Sequence, residues 1–209
     1  MSLIEELKKV LGDQNVLTGT DKERYSSDWL GQYRFEPLCV VRPASTEEVS
    51  KVVRLAGSFQ VNIVPVGGNT GLNGGTHSDD AISISMERMN KICEIRLNSK
   101  IAIVEAGVIL SNLHQLVNEN DLMFPLTFGA RGSATIGGVL STNAGGSNVL
   151  KYGNTRDLVL GVEIVLPSGE IMNLMSELHK DNSGYCLRDL VIGAEGTLGI
   201  ITKAVVKLF

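Results

Sequence analysis

The chain has 209 residues, 43% of them apolar and 20% charged, with a formal net charge of −4 at pH 7. This is the balance of a globular chain long enough to bury a core, as one large domain or two small lobes. The negative charge argues against nucleic acid as a partner, no apolar run approaches the roughly 20 residues of a membrane span, and Met1 to Glu6 bears no mark of a signal peptide, so a cytoplasmic location is expected.

Ser2 and Glu5 have the spacing of a capping box, and Ile4, Leu7 and Leu11 mark one face of a short helix closed by Gly12. Residues 13–37 are polar and irregular, with Tyr25, Trp29, Tyr33 and Phe35 expected to anchor them by packing inward. Pro37 to Pro43 is a strand that stops at a proline. Ser45 to Glu48 opens a helix in which Val49, Val52, Val53 and Ala56 recur at helical spacing, and Val61 to Val66 is a second strand. Ala81 to Met86 alternates as a half-buried strand does, and Ile92–Leu97 and Ile101–Ala106 make a hairpin turning at Asn98-Ser99. A helix follows with Leu110, Leu113 and Val117 inward. Leu158–Leu166 and Glu170–Leu174 flank the turn Pro167-Ser-Gly169, and Gly199 to Phe209 closes the chain as an alternating strand. The first third is βαβ and the rest is strand-rich with inserted helices, which predicts an α+β fold of two lobes dividing near residues 98–107. Cys39, Cys93 and Cys186 are odd in number and widely spaced, as reduced core thiols would be. Three scattered histidines offer no zinc site, and no metal is expected.

Seventeen of the 23 glycines cluster in the stretches 67–75, 129–161 and 184–199, and within these three short patches stand out. The first, Val64 to Thr76, leaves the strand 61–66 and carries glycines at 67, 68, 71, 74 and 75. Glycines allow backbone N–H groups to converge on one point, an anion nest whose usual guest is phosphate. Ligands of such sheets bind beyond the carboxyl ends of strands, where this loop lies. It is not a Rossmann fingerprint, because the spacing differs and a strand follows it, and it lacks the Gly-Lys-Ser/Thr of a P-loop. The second patch runs from Gly132 to Gly146, where Ser133 or Thr135 can cap a short helix whose free N–H groups face an anion. The third, Ile192 to Thr202, is a turn feeding a strand. Glu195 is expected to act there through its backbone, Lys151 and Arg156 are read as surface charges, and His114 as structural.

Pro65 to Gly75, Thr135 to Gly146, Lys151-Tyr-Gly153, Leu160 to Glu170, Lys180 to Tyr185 and Gly193 to Thr202 occur in an order that resembles the FAD-binding domain of the p-cresol methylhydroxylase/vanillyl-alcohol oxidase superfamily. Within it the motifs are most similar to the FAD-linked D-2-hydroxyacid dehydrogenases: the glycolate oxidase FAD subunit, D-lactate dehydrogenase and D-2-hydroxyglutarate dehydrogenase. The likeness covers roughly residues 36–209 and leaves 1–35 as an N-terminal helix and arm. It implies a small βαβ lobe, about 36–100, and a larger lobe of mixed or antiparallel sheet with helices, about 101–209, with FAD between them. It implies a pyrophosphate loop at Val66, Gly67, Gly68, Asn69, Thr70, Gly71 and Leu72. Flavin and ribityl contacts are implied at Pro125, Leu126, Gly132, Ser133, Ala134, Thr135, Gly137, Gly138, Thr142, Ala144, Gly145 and Gly146, with Glu195, Gly196 and Ile201 from the third patch. Some relatives attach FAD through a histidine of the first loop; Thr70 stands there, so the flavin is expected to be non-covalent.

The implied activity is oxidation of a small D-2-hydroxy acid to the 2-oxo acid by hydride transfer to N5 of FAD, with a homodimer or an electron-acceptor protein as a compatible partner. Family members continue into a cap domain that carries the substrate-binding and catalytic groups, so no catalytic residue is assigned within 1–209 and this part alone is expected to bind FAD without turnover. The alternatives are a lobe like that of UDP-N-acetylenolpyruvoylglucosamine reductase and a flavin- or nucleotide-binding module without catalysis. The run Asn143 to Gly146 followed by Lys151-Tyr-Gly153 favours the hydroxyacid group.

Overall fold

The computed structural model describes residues 2–209. Helix α1 (Leu3–Leu11) starts at Ser2, whose hydroxyl accepts from the Glu5 N–H while the Glu5 carboxylate accepts from the Ser2 N–H; Leu3, Leu7 and Leu11 are buried. Strand β1 (Val16–Leu17), which has no signal at two residues' length, runs antiparallel to β2 (Cys39–Val41). Helix α2 (Thr46–Ser58) is capped by Ser45 and buries Val49, Val52, Val53 and Ala56, the face expected from their spacing. Strands β3 (Ile63–Val66) and β4 (Ile82–Ser85) complete a four-stranded sheet of order β1-β2-β4-β3, in which β2 and β3 are both parallel to β4. The two strands joined by α2 are therefore not neighbours; β4 lies between them. Its four residues are all buried, not half-buried as alternation suggested, because β4 is an interior strand. The hydroxyl of Ser83 inside it donates to that of Ser78 at 2.9 Å.

Strand β5 (Ile92–Arg96) pairs antiparallel with β6 (Ile101–Glu105). The division expected near 98–107 falls inside this hairpin; the chain changes sheets between β4 and β5 instead, since two paired strands belong to one sheet. Helix α3 (Leu110–Asn118) buries Leu110, Leu113 and Val117. Short helices α4 (Ile136–Ser141) and α5 (Val149–Tyr152) come before β7 (Val159–Val165) and β8 (Ile171–Leu174). The turn Pro167-Ser-Gly169 closes that hairpin, with Gly169 at φ 80°. Helix α6 (Leu187–Val191) and strand β9 (Ile200–Lys207) follow. The second sheet has the order β5-β6-β9-β7-β8 and every pairing in it is antiparallel. β9 does not alternate either, for it is the central strand and is buried on both faces.

The larger core gathers α3, α4, β7 and β9, and a second core joins α1, α2, β2 and β4. Ala106, Val165 and Ile200 from the five-stranded sheet belong to the second core, so the lobes share apolar surface. Polar links reinforce the seam. The Thr46 hydroxyl donates to the Glu163 carboxylate at 2.5 Å and the Ser50 hydroxyl to the Gly169 carbonyl at 2.5 Å. Of the cysteines only Cys39 is a core thiol, its pKa pushed up to about 11 by burial; Cys93 and Cys186 are exposed, and all three are free. Tyr25 and Phe35 are buried as anchors, whereas Trp29 and Tyr33 keep about half their surface, at 56% and 44% exposed. No helix among the described residues is long and apolar enough to cross a membrane.

Candidate functional site

The first glycine loop leaves β3 at Val66, and Met86, just beyond β4, ties that exit down by donating its N–H to the Val66 carbonyl at 3.1 Å. Beyond this point none of the backbone N–H groups from Gly67 to Leu72 donates to another group among the described residues. Six consecutive amides have no acceptor among the described residues, and no lysine or arginine lies between Val64 and Thr76. An anion here would be held by peptide dipoles rather than by a charged side chain.

The second patch meets the first at close range. A Cβ on Gly68 would lie 1.9 Å from the Ser133 carbonyl oxygen, and one on Gly67 would lie 2.3 Å from Thr135 Oγ1. Neither glycine has a positive φ; the left-handed non-glycine residue of the loop is Asn69, at φ 49°. These glycines therefore serve close contact between the two patches, Gly68 with the Ser133 backbone and Gly67 with the Thr135 hydroxyl, whereas their sequence context suggested room for a ligand.

Thr135, not Ser133, caps α4, accepting from the Gly138 N–H at 3.3 Å. The Ile136 N–H is spent on the Val108 carbonyl and the Gly137 N–H on the Ala106 carbonyl. The first turn of α4 thus has no free N–H among these three to offer an anion, contrary to the expectation for this helix. A Cβ on Gly137 would come within 2.7 Å of the Ala106 Cβ, so this glycine lets α4 sit on the end of β6. Further along, Gly145 and Gly146 keep open amides, and Gly146 lies against the Thr127 backbone. Asn148 donates to the Pro125 carbonyl at 2.9 Å, so Pro125 and Leu126 sit beside this turn. Nearby on α3, burial pushes His114 below the usual imidazole range while the carbonyls of Leu126 and Phe124 pull the other way, and its Nε2 is buried without a partner.

The third patch joins the other two. The Glu195 N–H donates to the Ser141 carbonyl at 2.9 Å and the Gly193 N–H to the Leu140 carbonyl at 3.0 Å, fastening the turn to the end of α4. Gly196, at φ 81°, covers Pro65, and the Glu195 carboxylate lies against Gly75. The Glu195 amide is thus occupied, which leaves its carbonyl as the only backbone group for the role expected of it. Each patch holds one non-glycine residue with left-handed φ: Asn69, Asn143 at 47° and Glu195 at 51°. Of the remaining expected residues, Ala134 and Ile201 are buried in the larger core, Ala144 packs against it, Thr142 is exposed with its hydroxyl on the Gly138 carbonyl, and Gly132 is exposed beside open space.

Two site residues escaped the sequence reading. Asn143 accepts the Arg156 N–H at 2.9 Å, and the Arg156 guanidinium donates to the Ile192 carbonyl at 2.6 Å, bridging patches two and three. Arg156 is accordingly half-buried and structural, not a surface charge. An asparagine directly before Ala-Gly-Gly is a signal for a left-handed turn; nothing in the sequence marks Arg156. A separate groove of about 540 Å³, lined among others by Leu160, Leu174, His179, Tyr185 and Arg188, shares no residue with the three patches.

Open amides in a row, with empty space over Gly71, Gly129 and Gly132, fit a long phosphate-bearing ligand. The fold is that of a flavin-binding chain of the p-cresol methylhydroxylase type. Residues 37–175 match the FAD binding domain family, and the chain belongs to that family, with FAD as its cofactor. It is 43% identical over 189 residues to a D-2-hydroxyglutarate dehydrogenase of Xanthomonas citri, covering 90% of this chain and 40% of that protein. It is 38% identical over 209 residues to a D-2-hydroxyglutarate dehydrogenase of Stutzerimonas stutzeri, covering 99% of this chain and 45% of that one. Among solved structures an alkyldihydroxyacetonephosphate synthase superposes with a TM-score of 0.88 at 26% identity, over 99% of this chain and 40% of that one. The chain thus spans less than half the length of each.

Proposed function

We propose that this chain is the FAD-holding portion of a flavin-dependent dehydrogenase that oxidises a D-2-hydroxy acid to the 2-oxo acid, with D-2-hydroxyglutarate as the favoured substrate over lactate or glycolate. The observation that carries the cofactor assignment is the run of open amides from Gly67 to Leu72, held against patches two and three. The substrate class rests on the kinship with the two D-2-hydroxyglutarate dehydrogenases. When bound, FAD supplies a two-electron acceptor for the hydrogen on the hydroxy acid's Cα.

The amides of 67–72 hold the pyrophosphate. Pro125, Leu126, Gly132 to Thr135, Gly137, Gly138, Thr142 and Ala144 to Gly146 line the flavin and ribityl chain, and Glu195, Gly196 and Ile201 close the remaining side. Thr70 offers no imidazole for a covalent link, and the nearby His77 is turned to the Asp79 carboxylate at 2.9 Å, so the flavin is held non-covalently. Residues 36–209 form the cofactor-binding unit with 1–35 as its arm, and the groups that orient the hydroxy acid lie in a cap outside these residues. A cytoplasmic location, and a homodimer or an electron-acceptor protein as partner, complete the reading.

The test is anaerobic mixing of the longer, flavin-loaded protein with D-2-hydroxyglutarate, followed by flavin absorbance. Rapid bleaching is expected. Bleaching by D-lactate alone would move the substrate, and none by either acid would end the hydroxyacid reading. The 209 residues alone are expected to take up FAD and to remain unbleached.

A further inference from the structure

The N-terminal arm is hydrogen-bonded to the site through Asn69. Asn69 donates from Nδ2 to the Ser27 carbonyl at 2.7 Å and accepts at Oδ1 from the Thr76 hydroxyl at 2.7 Å. Ser27 belongs to a small hairpin, closed by Phe35 N–H on the Ser26 carbonyl and Asp28 N–H on the Tyr33 carbonyl, both at 3.1 Å. The Asp28 carboxylate, only 4% exposed, holds its tip by accepting from the Tyr33 N–H at 2.8 Å and the Leu30 N–H at 3.3 Å. The hairpin lies along the glycine loop. The Tyr33 ring lines Gly74, the Phe35 ring sits 5.3 Å from that of His77, and the Asp79 carboxylate accepts the Glu36 N–H at 2.6 Å.

We propose that Asn69 is a positioning residue that couples this hairpin, residues 26–36, to the open amides of 67–72, so that order in the arm and binding of a dinucleotide's pyrophosphate favour each other. The inference rests on the reading that this loop takes the pyrophosphate of FAD. Asn69 is the one residue from 67 to 72 in the left-handed region, so its dihedrals set how the amides on either side of it converge. The side chain that fixes those dihedrals needs a donor and an acceptor at once. Asparagine provides both, aspartate lacks the donor, and glycine adopts the same φ but reaches neither partner.

Apart from Phe35 at its base, the hairpin in turn has little core of its own, since Trp29, Leu30 and Tyr33 are 56%, 53% and 44% exposed. Its order therefore depends on the loop it touches. A coupling of this kind is reciprocal: whatever the arm adds to FAD affinity, FAD returns to the arm.

The experiment pairs FAD titration with hydrogen exchange at amides 28–35 in the 209-residue chain and in Asn69→Gly, which keeps left-handed freedom and removes both ties. In the wild-type chain FAD is expected to slow exchange at 28–35. In Asn69→Gly affinity is expected to fall about tenfold and that protection to vanish. Simple loss of stability would not erase protection that depends on FAD. Thr76→Val, which frees only Oδ1, is expected to weaken FAD about threefold and serves should the first variant not fold. Equal affinity in the variant that folds, or FAD bound to wild type without any change at 28–35, overturns the inference and leaves the FAD site standing. A wild-type chain that takes up no FAD overturns both.

Discussion

Gly68 shows how the site is built at the scale of a residue. Its missing Cβ is what allows the first loop to touch the Ser133 backbone, with 1.9 Å available where ordinary contact needs about twice that. Gly68→Ala is therefore expected to cost about 2 kcal/mol or more of stability through overpacking, and to weaken FAD by displacing the loop. Urea unfolding of the apo chain checks it: an unchanged midpoint would mean that the two patches are not in contact. Gly71 is the control, because nothing lies within 4 Å of a Cβ there and its φ is not positive. Gly71→Ala should leave stability within about 0.5 kcal/mol. Thr70 gives a third expectation at this scale. Acid precipitation of the flavin-loaded protein should leave all the yellow colour in the supernatant, and fluorescence retained on the denatured band would contradict it.

At the scale of the element, α2 is held to the five-stranded sheet through Glu163 on β7. Burial alone would raise this carboxyl, but hydrogen bonds from Thr46, Lys203 and Thr202 together outweigh it and hold it below the ordinary glutamate range. A depressed carboxyl contributes stability that is present above its unfolded value of 4.5 and lost as pH falls through its native one. Glu163→Ala is expected to cost about 2–3 kcal/mol at pH 7, since it leaves Thr46, Thr202 and Lys203 without their shared acceptor. The difference from wild type should shrink steadily below pH 4.5 in paired thermal melts. A gap that stays constant into acid would mean that the charge on Glu163 contributes nothing to the seam.

At the scale of the whole molecule, two sheets of different kinds meet along that seam, and the three glycine patches come from loops at β3, α4 and the turn before β9. Binding FAD across them should stabilise the native state alone. At about 100 times the dissociation constant the gain is about 2.7 kcal/mol, which for a chain of this size raises the melting temperature by roughly 5–11 °C. Scanning fluorimetry with and without FAD reads this directly, and no shift at saturating FAD would remove the cofactor from these residues.

Local physics determined much of this in the sequence itself. The capping box at Ser2 and Glu5, the buried face of α2, the hairpin turn at Gly169 and the glycine loop after β3 each depend on residues within a turn or two of one another, so composition and spacing reveal them. Tertiary structure decided what depends on distant neighbours. Insertion of β4 between β2 and β3 buries Ser83 and Ser85, and the central place of β9 removes its alternation, because burial on both faces comes from layers that no local pattern encodes. The reason for each glycine was hidden in the same way. Gly68 reads alone as room for a phosphate, yet the atom it makes room for is the Ser133 carbonyl, 65 positions further along the chain. The amides of 67–72 became identifiable as a run without acceptors only in the folded chain, since a hydrogen bond not made is a property of the fold and not of any residue type.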